Sequence, residues 1–511
     1  MLTNLLKYFV LLFVCLILYY IIPKKYRWIA IFICSIAYYY LMSKSLIIYA
    51  LISALSIYVF GLIINKINDR KCDSEDKELK KEFKRKNKTY KKLILSLCLL
   101  INIGLLVYLK YSNFLVSSVN SIFGLKLSEP FSKIVLPLGI SYYTLMAISY
   151  ITDVYRGKYK ASTNPFKVIL YIIFFPSVQE GPIARFDDVG DKIYNGNDFN
   201  YNMIHSGCML ILFGLFKKMV IADRAGIFVN NIFGTDIGGF SVLLAMILYT
   251  IQIYAEFSGF MDMAIGGAKL FGIDLPSNFN RPFLSKSVEE FWRRWHITLG
   301  TFLKDYVFYP VSLSKFNMKL SAFNNKHLSK YLCKFFMSAV PLFFVWFLNG
   351  LWHGASSKYI LYGLYYYVIM MIGLLLEPLF NKIKTDKINT KILDSLKVLR
   401  TWIFVVIGMT IFRASTFTEA FKMIGRIFTG TSKGIMNYGL SIIDFIIIIL
   451  FIALLFFIAF REEKGKKVNE EIVNSFPFNK YLVYYILIVM ILVFGIYGPG
   501  YNASDFIYGQ F

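Results

Sequence analysis

Two histidines stand where an imidazole could move a proton. His353 lies in Trp346-Phe-Leu-Asn349-Gly350-Leu-Trp352-His353-Gly354-Ala-Ser356, which closes a long apolar run. An ionisable side chain at membrane depth is costly and rare outside functional positions, and imidazole is the group best matched to proton transfer near neutral pH. Gly350 and Gly354 also form a small-xxx-small pair, so the run reads equally as a close helix contact with an incidental histidine. His296 lies in Ser287-Val-Glu-Glu290-Phe291-Trp292-Arg293-Arg294-Trp295-His296-Ile-Thr-Leu299. Ser287 with Glu290 is a capping box, and it predicts a helix starting there. Phe291, Trp292, Trp295 and Leu299 recur at helical spacing, with Arg293, Arg294 and Lys304 on the other face. Such a helix would lie along a membrane interface. His296 is then either a proton-transfer group or an interfacial histidine that only hydrogen-bonds. The other two histidines are plainer: His327 falls in a Lys/Asn-rich loop and His205 opens an apolar helix.

Two further groups add polar atoms. Phe174-Phe-Pro-Ser-Val-Gln-Glu180-Gly-Pro-Ile-Ala-Arg185 breaks a helix at Gly181-Pro182 and places charge at the break. Tyr254-Ala-Glu256-Phe-Ser258-Gly-Phe-Met-Asp262 is followed by Asn278-Phe-Asn-Arg281-Pro-Phe. Two carboxylates in an apolar stretch invite a cation site, but such sites need a denser set of oxygens. Walls of a polar cavity, or interfacial charges, fit better, and no metal is expected. GxSxG, HxxxxD, HExxH, Walker A and GxGxxG motifs are absent, so serine-hydrolase, zinc and nucleotide-hydrolysis chemistry lack their usual parts. Acid–base chemistry by one or two histidines remains.

These residues are embedded in a chain built for lipid. Of 511 residues 57% are hydrophobic and only 17% charged, and the mean hydropathy is +0.56; soluble chains are less apolar. A span needs about 20 mainly apolar residues. Segments 4–22, 28–42, 46–65, 93–110, 134–151, 203–221, 239–254, 331–352, 357–376, 400–412, 439–460 and 480–497 qualify or nearly so, the shorter ones as tilted, re-entrant or interfacial pieces. The net charge of +25 sits between apolar runs, so the positive-inside rule and an anionic leaflet account for it, and nucleic acid is not an expected partner. The clearest insertion, 66–92, holds twelve Lys/Arg against six Asp/Glu and reads as a helical cytoplasmic hairpin. Counting back from it puts the N-terminus outside, with a turn near Ser43–Ser45 on the outer face. Residues 4–22 read as a retained first span, since no small-residue cleavage site follows them. Further Lys-rich loops are expected at 381–397 and 461–467. The six cysteines have no CxxC spacing and read as buried small hydrophobes.

Taken together, FFPxxxxGPIxR, YxxFSGxxDMAIG, NFxxPF, EFWRRWHITL and LWHGAS resemble the membrane-bound O-acyltransferase (MBOAT) family over roughly 134–415. Within it the chain is most similar to the bacterial alginate O-acetyltransferase type; a sister type transfers D-alanine toward teichoic acids. The resemblance divides the chain into N-terminal spans (1–133), a catalytic core (134–415) and C-terminal spans (416–511). It implies an all-α polytopic bundle of roughly eleven spans, with re-entrant or interfacial helices, around a central tunnel. It puts the family's catalytic histidine on His353 and its second signature histidine on His296. Asn349, Trp352, Trp292, Arg293, Arg294, Glu256, Ser258, Asp262, Asn278, Arg281 and Glu180 become candidate substrate or tunnel residues. The implied donor is acetyl-CoA or an acyl-carrier thioester, with no tightly bound cofactor. The implied acceptor is a cell-envelope polysaccharide, reached from the bacterial plasma membrane. Partners are membrane lipid, an acyl carrier protein and an extracytoplasmic esterase-like acyltransferase. Tyr309–Lys315 departs from the alginate type's glycine-rich continuation, which leaves the acceptor open. Two other classes stand beside an acyltransferase. An envelope glycan or lipid transporter predicts paired charges deep in several spans and repeat symmetry. A structural scaffold predicts tolerance at both histidines.

Overall fold

The computed structural model describes residues 2–131, 135–382, 389–430 and 434–497. Among these the chain is helical throughout, and its one β feature is an isolated antiparallel bridge between Phe279 and Trp295. Among the described residues ten helical stretches are long and apolar enough to cross a membrane, close to the eleven spans expected. One of them, Lys24–Asn68, holds two helices, Arg27–Ser43 and Ile47–Asn68. The expected span at 134–151 is instead the 17-residue helix Ile140–Arg156, buried on nearly every side; residue 134 lies outside the described residues. Its tyrosines, Ser141, Thr144, Ser149 and Asp153 make it too polar to face lipid.

The chain divides into two compact units: Leu2–Gly207 with Ala264–Pro276, and Cys208–Met263 with Ser277 onward. In the first, Asp76 caps the 30-residue helix Lys77–Leu106 by accepting from the Glu78 N–H at 2.8 Å. The lysine-rich half of the expected hairpin is thus the first four turns of a long helix. The break at Phe174–Arg185 is also formed here, and Gly181 is required by crowding: a Cβ would lie 2.2 Å from that of Ser177.

In the second unit, close helix contacts are set by glycine. The helix Lys330–His353 doubles back into Ser357–Lys382 through Gly354–Ser356. A Cβ on Gly350 would lie 2.2 Å from the Tyr359 carbonyl oxygen, and one on Gly363 would lie 2.1 Å from that of Trp346. Lipid tails are as apolar as leucine, so such close packing, not hydrophobic burial, holds helices together in a bilayer. The pair that makes the contact is Gly350 and Gly363. Gly354 instead ends the helix, with an extended backbone (φ 170°) against the Tyr359 ring. The helix Ile442–Glu463 turns Ile443, Ile446, Ile449, Leu450, Phe457 and Phe460 outward, as a lipid-facing surface requires.

Two expected loops are largely helical. His327 ends the helix Lys315–His327, capped by Ser314. Lys391 and Lys397 lie on Thr390–Arg413, capped by Asn389; residues 383–388 of that Lys-rich segment lie outside the described residues. All six cysteines are free thiols, four of them buried.

Candidate active site

The helix expected from Ser287 through Leu299 is broken. Val288–Arg294 ends before Trp295, and Ile297–Leu303 begins after His296. The segment 278–280 pairs with 294–297 and engages one carbonyl and one amide that would have continued the helix: Asn280 N–H donates to the Arg294 carbonyl at 2.9 Å and Ile297 N–H to the Asn278 carbonyl at 3.0 Å. His296 is left in the left-handed region at φ 48°, a conformation that a non-glycine residue holds only where its surroundings fix it. Half of the expected capping box forms. Ser287 accepts from the Glu290 N–H, while the Glu290 carboxylate accepts from Lys286 N–H instead of the cap residue's own.

The break aims the His296 ring inward, where 3% of the residue is exposed. Its Nδ1 lies 3.4 Å from Asn278 Oδ1. That atom must be the oxygen, because the backbone N–H of Thr298 and the Thr298 hydroxyl both donate to it, at 2.9 and 2.7 Å, while Asn278 Nδ2 turns to Met261 Sδ. An amide oxygen only accepts. The proton of a neutral imidazole is therefore on Nδ1, and Nε2 presents its lone pair. Nε2 is buried without a hydrogen-bond partner. Burial pushes the imidazole pKa down to about 3, so His296 is neutral at physiological pH and suited to accept a hydrogen bond.

His353 is the last residue of its helix and is likewise 3% exposed. Its ring is edge-on to Tyr362 and Phe412, with centroids 5.9 and 5.2 Å away. Trp352 joins the two histidines: its indole lies 4.9 Å from the His353 ring and 5.4 Å from the His296 ring. Phe257 closes the other contact of His296 at 4.9 Å. Asn349 is one turn before His353 on the same helix face, buried, with Oδ1 unpaired. Trp292 Nε1 and Tyr366 Oη are also unpaired, in the aromatic cluster that includes Trp346 and Tyr362. An unpaired buried polar atom costs about 1–3 kcal/mol. Four of them around one aromatic cluster fit a place that a polar ligand or water fills.

The other candidates do different things. Glu256 is bound to Lys218 at 2.9 Å, and Lys218 also to Asp223 at 2.5 Å. Asp262 binds Lys217 at 2.6 Å, and Ser258 accepts from the same ammonium at 2.9 Å. The cations that answer these carboxylates are lysines of the chain itself. Both sit on a π-helical turn, Lys217–Ala222, beside a contact in which a Cβ on Gly214 would meet the Gly259 carbonyl oxygen at 2.4 Å. Sequence reading passed over Lys217, Lys218 and Asp223, although two lysines inside Phe-Gly-Leu-Phe-Lys-Lys-Met-Val-Ile were a visible signal. Arg294 binds both oxygens of Glu463 at 3.0 Å and Glu290 at 2.6 Å, and Arg281 also reaches Glu463. Arg293 is exposed and paired with Glu289. These guanidiniums are held by carboxylates. Glu180 is buried in the other unit.

Residues 87–416 match the MBOAT, membrane-bound O-acyltransferase family, a stretch that contains both histidines and every candidate named above. The chain belongs to that family. Among curated members it is 34% identical over 338 residues to the probable alginate O-acetylase AlgI of Pseudomonas aeruginosa, covering 66% of this chain and 60% of that protein. It is 30% identical over 363 residues to the peptidoglycan O-acetyltransferase of Helicobacter pylori, covering 66% and 64%. It is 29% identical over 290 residues to the teichoic acid D-alanyltransferase of Bacillus subtilis, covering 55% and 69%. The match thus spans about 60% of the length of the alginate relatives. In this MBOAT chain the two histidines of the R-R-W-H and L-W-H-G blocks meet on one tryptophan.

Proposed function

We propose that the chain is an O-acyltransferase that moves an acyl group, acetyl in the preferred reading, from an activated donor on the cytoplasmic side to a hydroxyl of a cell-envelope polysaccharide. The observation that supports this best is the shared contact of His296 and His353 with the Trp352 indole, in a buried cluster with unpaired polar atoms. In the proposed reaction His353 takes the proton of the acceptor hydroxyl as its oxygen attacks the thioester carbonyl. The tetrahedral adduct then collapses, the C–S bond breaks, and the departing thiolate takes the proton from the imidazolium. His296, neutral and with Nε2 free to accept, orients the acceptor hydroxyl. Acid–base work of this kind contributes about 10²–10⁴-fold, and holding donor and acceptor together contributes more. The donor is acetyl-CoA or an acyl-carrier thioester. The match to the alginate O-acetylase, 34% over 338 residues against 29% over 290 for the D-alanyl relative, supports acetyl over D-alanyl.

The test is acyl content of the surface polymer in cells lacking the chain, complemented with wild type or with His353→Ala. Acylation restored only by the wild type is the expected result. Full acylation with blocked polymer export would favour transport instead.

A further inference from the structure

The hairpin of Ile47–Asn68 and Lys77–Leu106 ends in a cavity of about 610 Å³ whose lining includes Arg70, Lys80, Lys84, Lys88 and Lys91, with no carboxylate. Its size is that of a small-ligand site. The lysines recur at helical spacing along one face of Lys77–Leu106, while Glu78 and Glu82 lie off that face and Glu82 is paired with Lys86. Lys91 donates to Asn68 Oδ1 at 2.8 Å and lies over the Tyr155 ring, which fixes one wall. None of the five cations has an ion-pair partner among the described residues, whereas Lys160 and Lys167 of the neighbouring 760 Å³ cavity answer Asp69 and Asp191. Five like charges around one hollow make a setting that favours an anion.

We propose that this cavity binds the phosphate headgroup of an anionic phospholipid. The hollow begins where the apolar run ending at Ile67 gives way to the basic segment before Leu93, the border at which the span reading would put lipid phosphates, and basic pockets beside membrane helices take such headgroups. Its concave form suits a headgroup better than the flat face of a folded acidic protein.

The experiment is native mass spectrometry of the full chain in neutral detergent, titrated with phosphatidylglycerol or with phosphatidylcholine of the same acyl chains. Retention of phosphatidylglycerol alone is expected. Arg70→Gln/Lys84→Gln/Lys88→Gln should weaken it roughly 100-fold at low salt, from about fivefold per cation, and Lys66→Gln/Lys160→Gln in the neighbouring cavity should leave it unchanged. Equal retention of both lipids would overturn the proposal. So would equal loss in the two variants, which means diffuse charge, or displacement of the lipid by equimolar coenzyme A, which means a nucleotide site. No outcome depends on acyl transfer.

Discussion

His296 Nδ1 lies 3.4 Å from Asn278 Oδ1, an oxygen already accepting from the Thr298 amide and hydroxyl. The contact is long, but it decides which imidazole nitrogen holds the proton. Asn278→Asp keeps the acceptor and adds a charge, which stabilises the imidazolium and raises the His296 pKa from its depressed value. The rate of this variant should fall as pH drops through that raised pKa, while the wild type shows no such limb above about pH 4 from this group. Asn278→Leu, which cannot accept, should lose activity at every pH. Matching pH–rate profiles for wild type and Asn278→Asp would refute the tautomer argument.

Burial of neutral His296 also has a stability signature. Its folded pKa is about 3, below the roughly 6.5 of an unfolded histidine. The unfolded chain therefore binds more protons between those values. The stability tied to this group is complete above about pH 6.5 and declines as pH falls toward 3. Thermal unfolding in detergent should show His296→Asn losing less stability than wild type between pH 6.5 and 4.5. Parallel curves would count against a buried neutral ring.

Trp352 touches both imidazoles, so its size should matter more than its indole N–H. Trp352→Phe should retain most acyl transfer, and Trp352→Ala should lose about 100-fold or more, since small misplacements of reacting groups are that costly. Thermal midpoints measured alongside separate a lost site from a lost fold.

The lysine–carboxylate group is a different kind of element. Lys218 is fully buried between Glu256 and Asp223. Lys218→Met leaves buried carboxylates unanswered and should destabilise by about 3–5 kcal/mol. Lys218→Met/Glu256→Gln should recover part of that. A single variant as stable as wild type would show that the pairing contributes nothing to the fold.

What could be read from the chain and what could not divide along sequence distance. Most of the long apolar helices are local patterns and lie where their residues indicated, whereas 134–151 and the helix through Trp295 do not. The break at Trp295–His296 was hidden because the groups that cause it, Asn278 and its neighbours, lie in a preceding segment with no periodicity of its own. Glu256 and Asp262 looked like cavity walls because their lysines come from another helix. Gly350 pairs with Gly363, not with Gly354, for the same reason: spacing within one helix says nothing of where the next helix places its glycine. Arg293 and Arg294 stood among the candidate substrate residues, but Glu289, Glu290 and the distant Glu463 surround them.

The central claim is that His353 performs the proton transfer of an acyl-transfer reaction. Its most direct test is a single-turnover assay of the purified chain in lipid nanodiscs, with labelled acetyl thioester and an oligosaccharide acceptor, comparing wild type with His353→Gln of matched thermal stability. Transfer of label to the acceptor by wild type is expected, with a loss of at least about 10²-fold in His353→Gln. Equal rates for the two proteins would contradict it.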